Sequence, residues 1–137
     1  MTRFWITLNE GVDFVLSSLG MMTGGEIFVP KIPSMKMTDL AAAMAPGLPI
    51  KVVGIRPGEK LHEMMISADD ARATLDLGDR YAIEPAFVEY TRRGLAGAAL
   101  PEGFYYASDT NDDWLTGDGL LALLDDATPR RRRRAQD

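Results

Sequence analysis

The sequence contains no cysteine and a single histidine, His62, among its 137 residues. Without cysteine the chain can form neither disulfides nor thiolate metal sites, a composition that fits a reducing compartment. One histidine cannot complete the His-Glu-x-x-His zinc motif that His62 and Glu63 would begin. We therefore expect no metal site, and we expect His62 to lie at a surface or an interface.

Long apolar runs are also missing. The longest ones fall far short of the roughly 20 residues that a membrane-spanning helix needs, and the N-terminus lacks the apolar core of a signal peptide. Hydrophobic residues make up 46% and charged residues 26% of the chain, as in ordinary globular proteins. The sequence therefore predicts a cytoplasmic protein without membrane contact, large enough for one domain.

Positive charge is concentrated at one end of the chain. The net charge is −5, and since the five arginines at 130–134 carry +5, the rest of the chain carries −10. An acidic body does not suit nucleic acid as a partner. We interpret residues 129–137 as a disordered, solvated tail and residues 1–128 as a single domain. The alternative for the tail is an electrostatic contact with RNA or another anionic surface.

A helix is predicted at residues 7–19. Thr7 and Glu10 have the spacing of a capping box, in which a hydroxyl and a carboxylate accept from each other's backbone N–H groups. Gly20 is a typical stop signal. Between the capping box and Gly20, apolar residues recur with the helical period and make the helix amphipathic. They are Val12, Val15, Leu16 and Leu19.

Helical and extended segments alternate along the chain. The patterns predict a strand at 26–29, a helix at 38–44, a strand at 50–55 and a third helix from Gly58 or Glu59. This order is typical of an α/β fold. Weaker signals predict a helical turn at 69–72, a strand at 81–83, a loop over 91–103, an extended segment at 104–106 and a helix at 116–124.

Residues 54–63 combine two glycines, one proline, two basic and two acidic residues. Loops that follow a strand are common positions for binding residues. Arg56 and Lys60 offer positive charge to a phosphate, and Glu59 could accept hydrogen bonds from sugar hydroxyls. The alternative interpretation is a strand-to-helix turn whose charges are simply solvated.

Several catalytic signatures are missing. The spacing of Gly54, Gly58 and Lys60 differs from that of a P-loop, and no Gly-x-Gly-x-x-Gly follows a predicted strand. None of the four tyrosines has a lysine four residues later, which excludes the Tyr/Lys pair of short-chain dehydrogenases. Taken alone, these residues predict a binding surface without a complete catalytic apparatus.

Three motifs, followed by a fourth segment at 106–115, closely resemble the C-terminal part of the inverting UDP-N-acetylglucosamine 4,6-dehydratases. These enzymes are extended short-chain dehydrogenases of bacterial surface-polysaccharide pathways such as that of pseudaminic acid. The resemblance covers nearly the whole chain except the arginine tail. The motifs are residues 3–7 (Arg-Phe-Trp-Ile-Thr), 24–34 (Gly-Gly-Glu-Ile-Phe-Val-Pro-Lys-Ile-Pro-Ser) and 54–63 (Gly-Ile-Arg-Pro-Gly-Glu-Lys-Leu-His-Glu).

The resemblance implies that two domains of the complete enzyme have different functions. A Rossmann domain binds NADP and supplies the catalytic Tyr/Lys pair, and a smaller C-terminal lobe holds the UDP-sugar. The reaction oxidises C4, removes water across C5 and C6, and returns hydride to C6 with inversion at C5. This chain would be the lobe, inactive by itself and without a cofactor of its own. Its expected partners are UDP-N-acetylglucosamine, the Rossmann domain and further copies in a homo-oligomer.

The resemblance also implies roles for three residues. Arg3 and Arg56 would bind the diphosphate, and Glu59 would hold the ribose hydroxyls. A guanidinium group suits this role because its planar fork matches phosphate oxygens bidentately. For Arg3 the alternative is an ion pair that stabilises the fold. No catalytic residue is expected on this chain.

Two other functions stay open at this point. The chain could be a stand-alone module that binds UDP-sugars, or an interaction protein that pairs with a separately encoded Rossmann half. Met1 coincides with what resembles an internal methionine of the family, so we expect a truncated gene, a misassigned start or a fragment. A lobe without its partner should expose the apolar surface that faced it.

Overall fold

The computed structural model describes residues 1–85 and 95–127. The predicted tail at 129–137 and the first part of the predicted loop at 91–103 lie outside these ranges. The elements in chain order are β1 (Thr2–Phe4), α1 (Leu8–Met21), β2 (Ile27–Pro30), β3 (Ser34–Lys36), α2 (Met37–Met44), β4 (Met64–Ile66), a 3₁₀-helix (Asp70–Ala73), β5 (Thr74–Asp76), β6 (Arg80–Ile83), β7 (Ala98–Ala99), β8 (Tyr106–Ala107) and α3 (Gly117–Ala127).

The strands form three small sheets. The largest has the order β2-β6-β5-β7, and two-stranded sheets join β1 to β3 and β4 to β8. Each of these strand pairs is antiparallel. The predicted mixed α/β class is therefore confirmed, and the antiparallel pairing gives the lobe its α+β character.

Most of the predicted elements are present within one to three residues of their expected ends. The capping box is formed at α1, where the Thr7 hydroxyl accepts from the Glu10 N–H at 3.3 Å and the Thr7 N–H donates to the Glu10 carboxylate at 2.8 Å. The Thr7 hydroxyl also donates to the Glu10 carboxylate at 2.7 Å, and this bond, followed by the one from the Thr7 N–H, lowers the pKa of Glu10. None of the helices in residues 1–85 and 95–127 has the length and apolar character to cross a bilayer.

Two predictions are wrong: the strand at 50–55 and the helix from Gly58 or Glu59. Residues 45–63 contain neither helix nor strand, and residues 46–62 are all exposed. A strand needs a neighbour for its backbone groups, and within the described residues no strand lies beside residues 50–55. Gly54 and Gly58 have φ values of 85° and 86°, which lie outside both the helical and the strand regions.

The core lies between the sheets and is rich in aromatic residues. The Tyr81 and Tyr106 rings lie 5.3 Å apart, and Phe4 and Phe104 pack on them at 4.8 and 5.6 Å. Tilted ring pairs at such distances add to the stabilisation from burial. The buried members of this cluster are Val29, Ile66, Ala71, Tyr81 and Tyr106.

The hydroxyl of Tyr106 binds the backbone of Ile32, which lies in the connection between β2 and β3. It accepts from the Ile32 N–H and donates to the Ile32 carbonyl, both at 3.0 Å. The same carbonyl accepts a further hydrogen bond from the Asn111 side chain at 2.9 Å. Tyr106 is buried, and this burial raises the pKa of its hydroxyl.

We expect Tyr106→Phe to lower the free energy of unfolding by about 1–3 kcal/mol, because the Ile32 N–H loses its acceptor while the carbonyl keeps Asn111. Urea denaturation of the chain measures this change. Tyr105→Phe is the matched control, since Tyr105 is 44% exposed. Equal effects of the two substitutions would contradict a specific role for the Tyr106 hydroxyl.

Candidate functional site

The exposed loop at residues 46–62 carries two of the three predicted site residues at a tight turn. The Glu59 N–H donates to the Arg56 carbonyl at 3.1 Å, and the Arg56 N–H donates to the Glu59 carboxylate, also at 3.1 Å. These reciprocal bonds bring Arg56 and Glu59 together at the tip of the loop. The positive φ of Gly58 lets the chain reverse there.

Arg56 itself is exposed and available. Within residues 1–85 and 95–127, its guanidinium makes no hydrogen bond or ion pair, and the same holds for the Lys60 ammonium. Two free cations beside a carboxylate that retains acceptor capacity can bind an anionic, hydroxylated ligand. The loop therefore exposes the two cations and the carboxylate at its tip, while the strand and helix expected on either side are missing, and its role in binding stays a prediction.

Arg3 has a different environment from Arg56. Its guanidinium donates to the carbonyls of Thr2 at 2.6 Å, Lys60 at 2.9 Å and Leu61 at 3.3 Å. Its Nε also lies 3.4 Å from the Glu63 carboxylate. Arg3 thus lies against the C-terminal arm of the loop, and most of its N–H groups are already used within the chain.

The attachment of α1 was not predicted. The Arg80 guanidinium donates to the hydroxyls of Ser17 at 3.0 Å and Ser18 at 2.8 Å, and it lies 4.8 Å from the centre of the Phe14 ring. Arg80 is buried and pairs with Asp79 at 2.7 Å. The helix is therefore held to the sheet through two serines and one aromatic ring.

The apolar side of α1 consequently faces outward. Ile6, Thr7 and Gly11 line a shallow groove together with part of this side. An apolar helix face normally packs against a neighbouring element, and no element among the described residues covers this one. Its residues are 49–84% exposed: Leu8, Val12, Val15, Leu16 and Leu19.

A second concave surface lies beside the aromatic core. Lys31 lines it, 4.5 Å from the centre of the Tyr81 ring and 2.6 Å from the Asp76 carboxylate. The hydrogen bond from Lys31, with another from the Gly78 N–H, lowers the pKa of Asp76. The ammonium of Lys31 is therefore engaged within the fold, unlike that of Lys60.

The described residues contain neither a cluster of metal-ligand side chains nor a glycine-rich turn before a helix. No three His, Asp or Glu side chains converge in residues 1–85 and 95–127. The connections from β1 to α1 and from β3 to α2 contain no glycine, so neither forms the glycine-rich turn that places a pyrophosphate at a helix N-terminus.

The architecture recurs in a solved structure. Pen from Bacillus thuringiensis superposes on 93% of this chain with a TM-score of 0.74, at 24% sequence identity, and the match takes up 38% of Pen. This likeness concerns the fold alone. It defines the described chain as a small mixed α/β lobe of a kind that occurs within a larger protein.

The chain belongs to the polysaccharide biosynthesis protein family, which matches residues 1–85. It is 51% identical over 132 residues to the UDP-N-acetylglucosamine 4,6-dehydratase (inverting) of Campylobacter jejuni, covering 90% of this chain and 40% of that enzyme. It is 32% identical over 138 residues to the UDP-glucose 4-epimerase of Rickettsia canadensis, covering 98% of this chain and 35% of the epimerase. The chain thus spans well under half the length of these relatives.

We expect Lys31→Met to raise the pKa of Asp76 toward its ordinary value of 3.8, because the substitution removes the hydrogen bond that lowers it most. NMR titration of the carboxyl carbon measures this. In the wild type, a lowered pKa stabilises the fold above the unfolded-state value, and this stability is lost as the pH falls through the folded-state pKa. The variant should therefore lose less stability in the acid range.

Arg72→Met is the control for the change in net charge, since Arg72 pairs with Asp69 at the surface. It should leave the Asp76 titration unchanged. A shift of similar size in both variants would show that overall charge, and not the contact with Lys31, controls the pKa of Asp76.

Proposed function

We propose that this chain is the UDP-sugar-binding lobe of a sugar-nucleotide 4,6-dehydratase of the inverting type. The identity of 51% to the Campylobacter dehydratase carries this proposal. The dehydratase and the more distant epimerase are named for different reactions, but both names contain a UDP-sugar. Binding of the UDP-sugar is therefore the property that best accounts for the region they share with this chain.

The loop at 46–62 supplies the proposed contacts. Arg56 would bind the diphosphate through its free guanidinium, and Glu59 would accept hydrogen bonds from the ribose hydroxyls. Arg3 would add a weaker diphosphate contact, because three carbonyls and Glu63 already take most of its donors. An electropositive tip on an otherwise acidic chain would also help to attract an anionic ligand.

The chemical steps are proposed to take place on residues outside this chain. The complete enzyme would use NADP to oxidise C4 and to reduce C6 after the loss of water, with inversion at C5. The residues here do not fit that cofactor, since the described helices lack a glycine-rich turn before them. We assign no step of the reaction to this chain, whose part is to hold and orient the substrate.

The exposed side of α1 is proposed to pack on a Rossmann domain that binds the cofactor. Its five exposed apolar side chains, with the groove beside them, form the kind of surface that a domain interface covers. The complete enzyme would be a cytoplasmic homo-oligomer that acts in bacterial surface-glycan synthesis, for instance toward pseudaminic acid.

We expect Arg56→Lys to weaken binding of UDP-N-acetylglucosamine by about 1–3 kcal/mol, or roughly 5- to 150-fold in Kd. Lysine keeps the charge and loses the bidentate fork. Isothermal titration of the complete enzyme with the UDP-sugar measures the change. Arg72→Lys, the same substitution at another exposed arginine, should bind as the wild type does.

An unchanged Kd in Arg56→Lys would remove Arg56 from the site. Micromolar binding by the wild-type chain, with no further domain present, would favour a stand-alone binding module over a dependent lobe. No binding by the chain alone, with binding restored by a cofactor domain, would favour the lobe.

We expect the purified chain to bind apolar dyes and to self-associate, and Leu16→Asp to reduce both. The substitution places a charge in the middle of the exposed apolar side of α1. Dye fluorescence and sedimentation measure the two effects. Thr38→Asp adds the same charge at an exposed position in the first turn of α2 and should change neither. A monomeric wild type that binds no dye would contradict the proposed interface.

A further inference from the structure

Among the described residues, the loop that carries Arg56 and Glu59 has long-range hydrogen bonds only at its C-terminal end. Within the described residues, residues 46–59 make only local hydrogen bonds, one of them from the Leu48 N–H to the Ala45 carbonyl just after α2. The long-range hydrogen bonds of the loop involve Lys60, Leu61 and His62 among the described residues. The position of the tip is therefore set by how these three residues are held.

Two backbone contacts fix this arm between β1 and the end of β8. The Thr2 N–H donates to the Leu61 carbonyl at 2.9 Å, and the Ser108 N–H donates to the Glu63 carbonyl at 2.8 Å. Together with the contacts of Arg3 described above, they hold residues 60–63 against β1 and β8. The arm therefore bridges the first strand and the last strand of the lobe.

A chain of buried hydroxyls reinforces the same arm. The Glu63 N–H donates to the Ser108 hydroxyl at 2.9 Å, Ser108 lies 2.7 Å from the Thr2 hydroxyl, and Thr2 lies 2.9 Å from Nδ1 of His62. Ser108 is 0% and Thr2 4% exposed. Unpaired hydroxyls at such depth would be costly.

The donors in this chain can be assigned a direction. The Glu63 N–H can only donate, so Ser108 accepts there and has its own proton left for Thr2. Thr2 then donates to Nδ1 of His62, and every buried proton has an acceptor. With the opposite direction, the Ser108 proton would have no acceptor among the described residues. The imidazole, half-exposed and 3.9 Å from Asp109, ends the chain.

We infer that Thr2, His62 and Ser108 are positioning residues for the substrate site: their hydroxyl-imidazole chain holds the arm at 60–63 and thereby sets where Arg56 and Glu59 stand. The functional part of this inference rests on the proposed function. None of the three side chains is needed to contact the ligand itself. The sequence pattern gave no sign of the arrangement, because Thr2 and Ser108 are 106 residues apart.

Limited trypsin digestion of the full chain tests whether the hydroxyl chain holds the arm. Thr2→Val keeps the shape and the backbone N–H of Thr2 but removes the hydroxyl, and Thr2→Ser restores it. We expect cleavage after Lys60 to become about tenfold faster in Thr2→Val, since losing a buried hydrogen bond shifts local opening by about that factor. Thr2→Ser should be cut like the wild type.

Two other bonds in the same digest serve as internal references. Cleavage after Lys51, in the exposed part of the loop, should be equal in all three proteins. Cleavage after Lys31 reports global unfolding, because the next residue is held by Tyr106. If Thr2→Val accelerates cleavage after Lys60 no more than after Lys31, or if Thr2→Ser behaves like Thr2→Val, the inference is overturned.

Binding of UDP-N-acetylglucosamine to the same variants separates this inference from the proposed function. A Kd raised several-fold in Thr2→Val and restored in Thr2→Ser supports a positioning role. If cleavage after Lys60 becomes faster in Thr2→Val while its Kd stays unchanged, the hydroxyl chain holds the arm but does not affect binding. That result would overturn the positioning role. If the wild type fails to bind the UDP-sugar even with a cofactor domain present, the proposed function is overturned. The trypsin digest still tests independently whether the hydroxyl chain holds the arm.

Discussion

The fold depends on the way in which the segment at β8 ties distant parts of the chain together. Tyr106 places its ring in the core and its hydroxyl on Ile32, between β2 and β3. Two residues later, Ser108 binds the backbone of Glu63 and the side chain of Thr2. Every described strand has only two to four residues. Side-chain hydrogen bonds of this kind therefore add stability that larger sheets obtain from longer ladders of backbone hydrogen bonds.

The outer surface of the lobe carries apolar side chains that nothing covers among the described residues. The apolar side of α1 and the apolar residues of the loop at 46–62, such as Val52 at 86% exposure, have no partner among the described residues. A chain of this size buries a smaller fraction of its surface than a larger domain does. The exposed side of α1 and the greater length of the relatives both support the proposal that this lobe packs against a further domain.

The three predicted site residues lie in two different environments. Arg56 and Glu59 lie at an exposed tip where their side chains remain available, whereas Arg3 turns toward carbonyls of the arm that holds this tip. The motif order in the sequence predicts all three as site residues. It could not separate these two situations, because the difference lies in contacts between residues almost 60 positions apart.

The sequence by itself determined the elements whose stability is local. The capping box of α1 and the period of its apolar residues require only neighbours within one or two turns, and the family motifs are linear. Tertiary structure alone decided that α1 turns its apolar side outward, because Arg80, far along the chain, binds its serines. It also decided that residues 50–55 form no strand, since a strand is stable only beside a partner that the described residues do not provide.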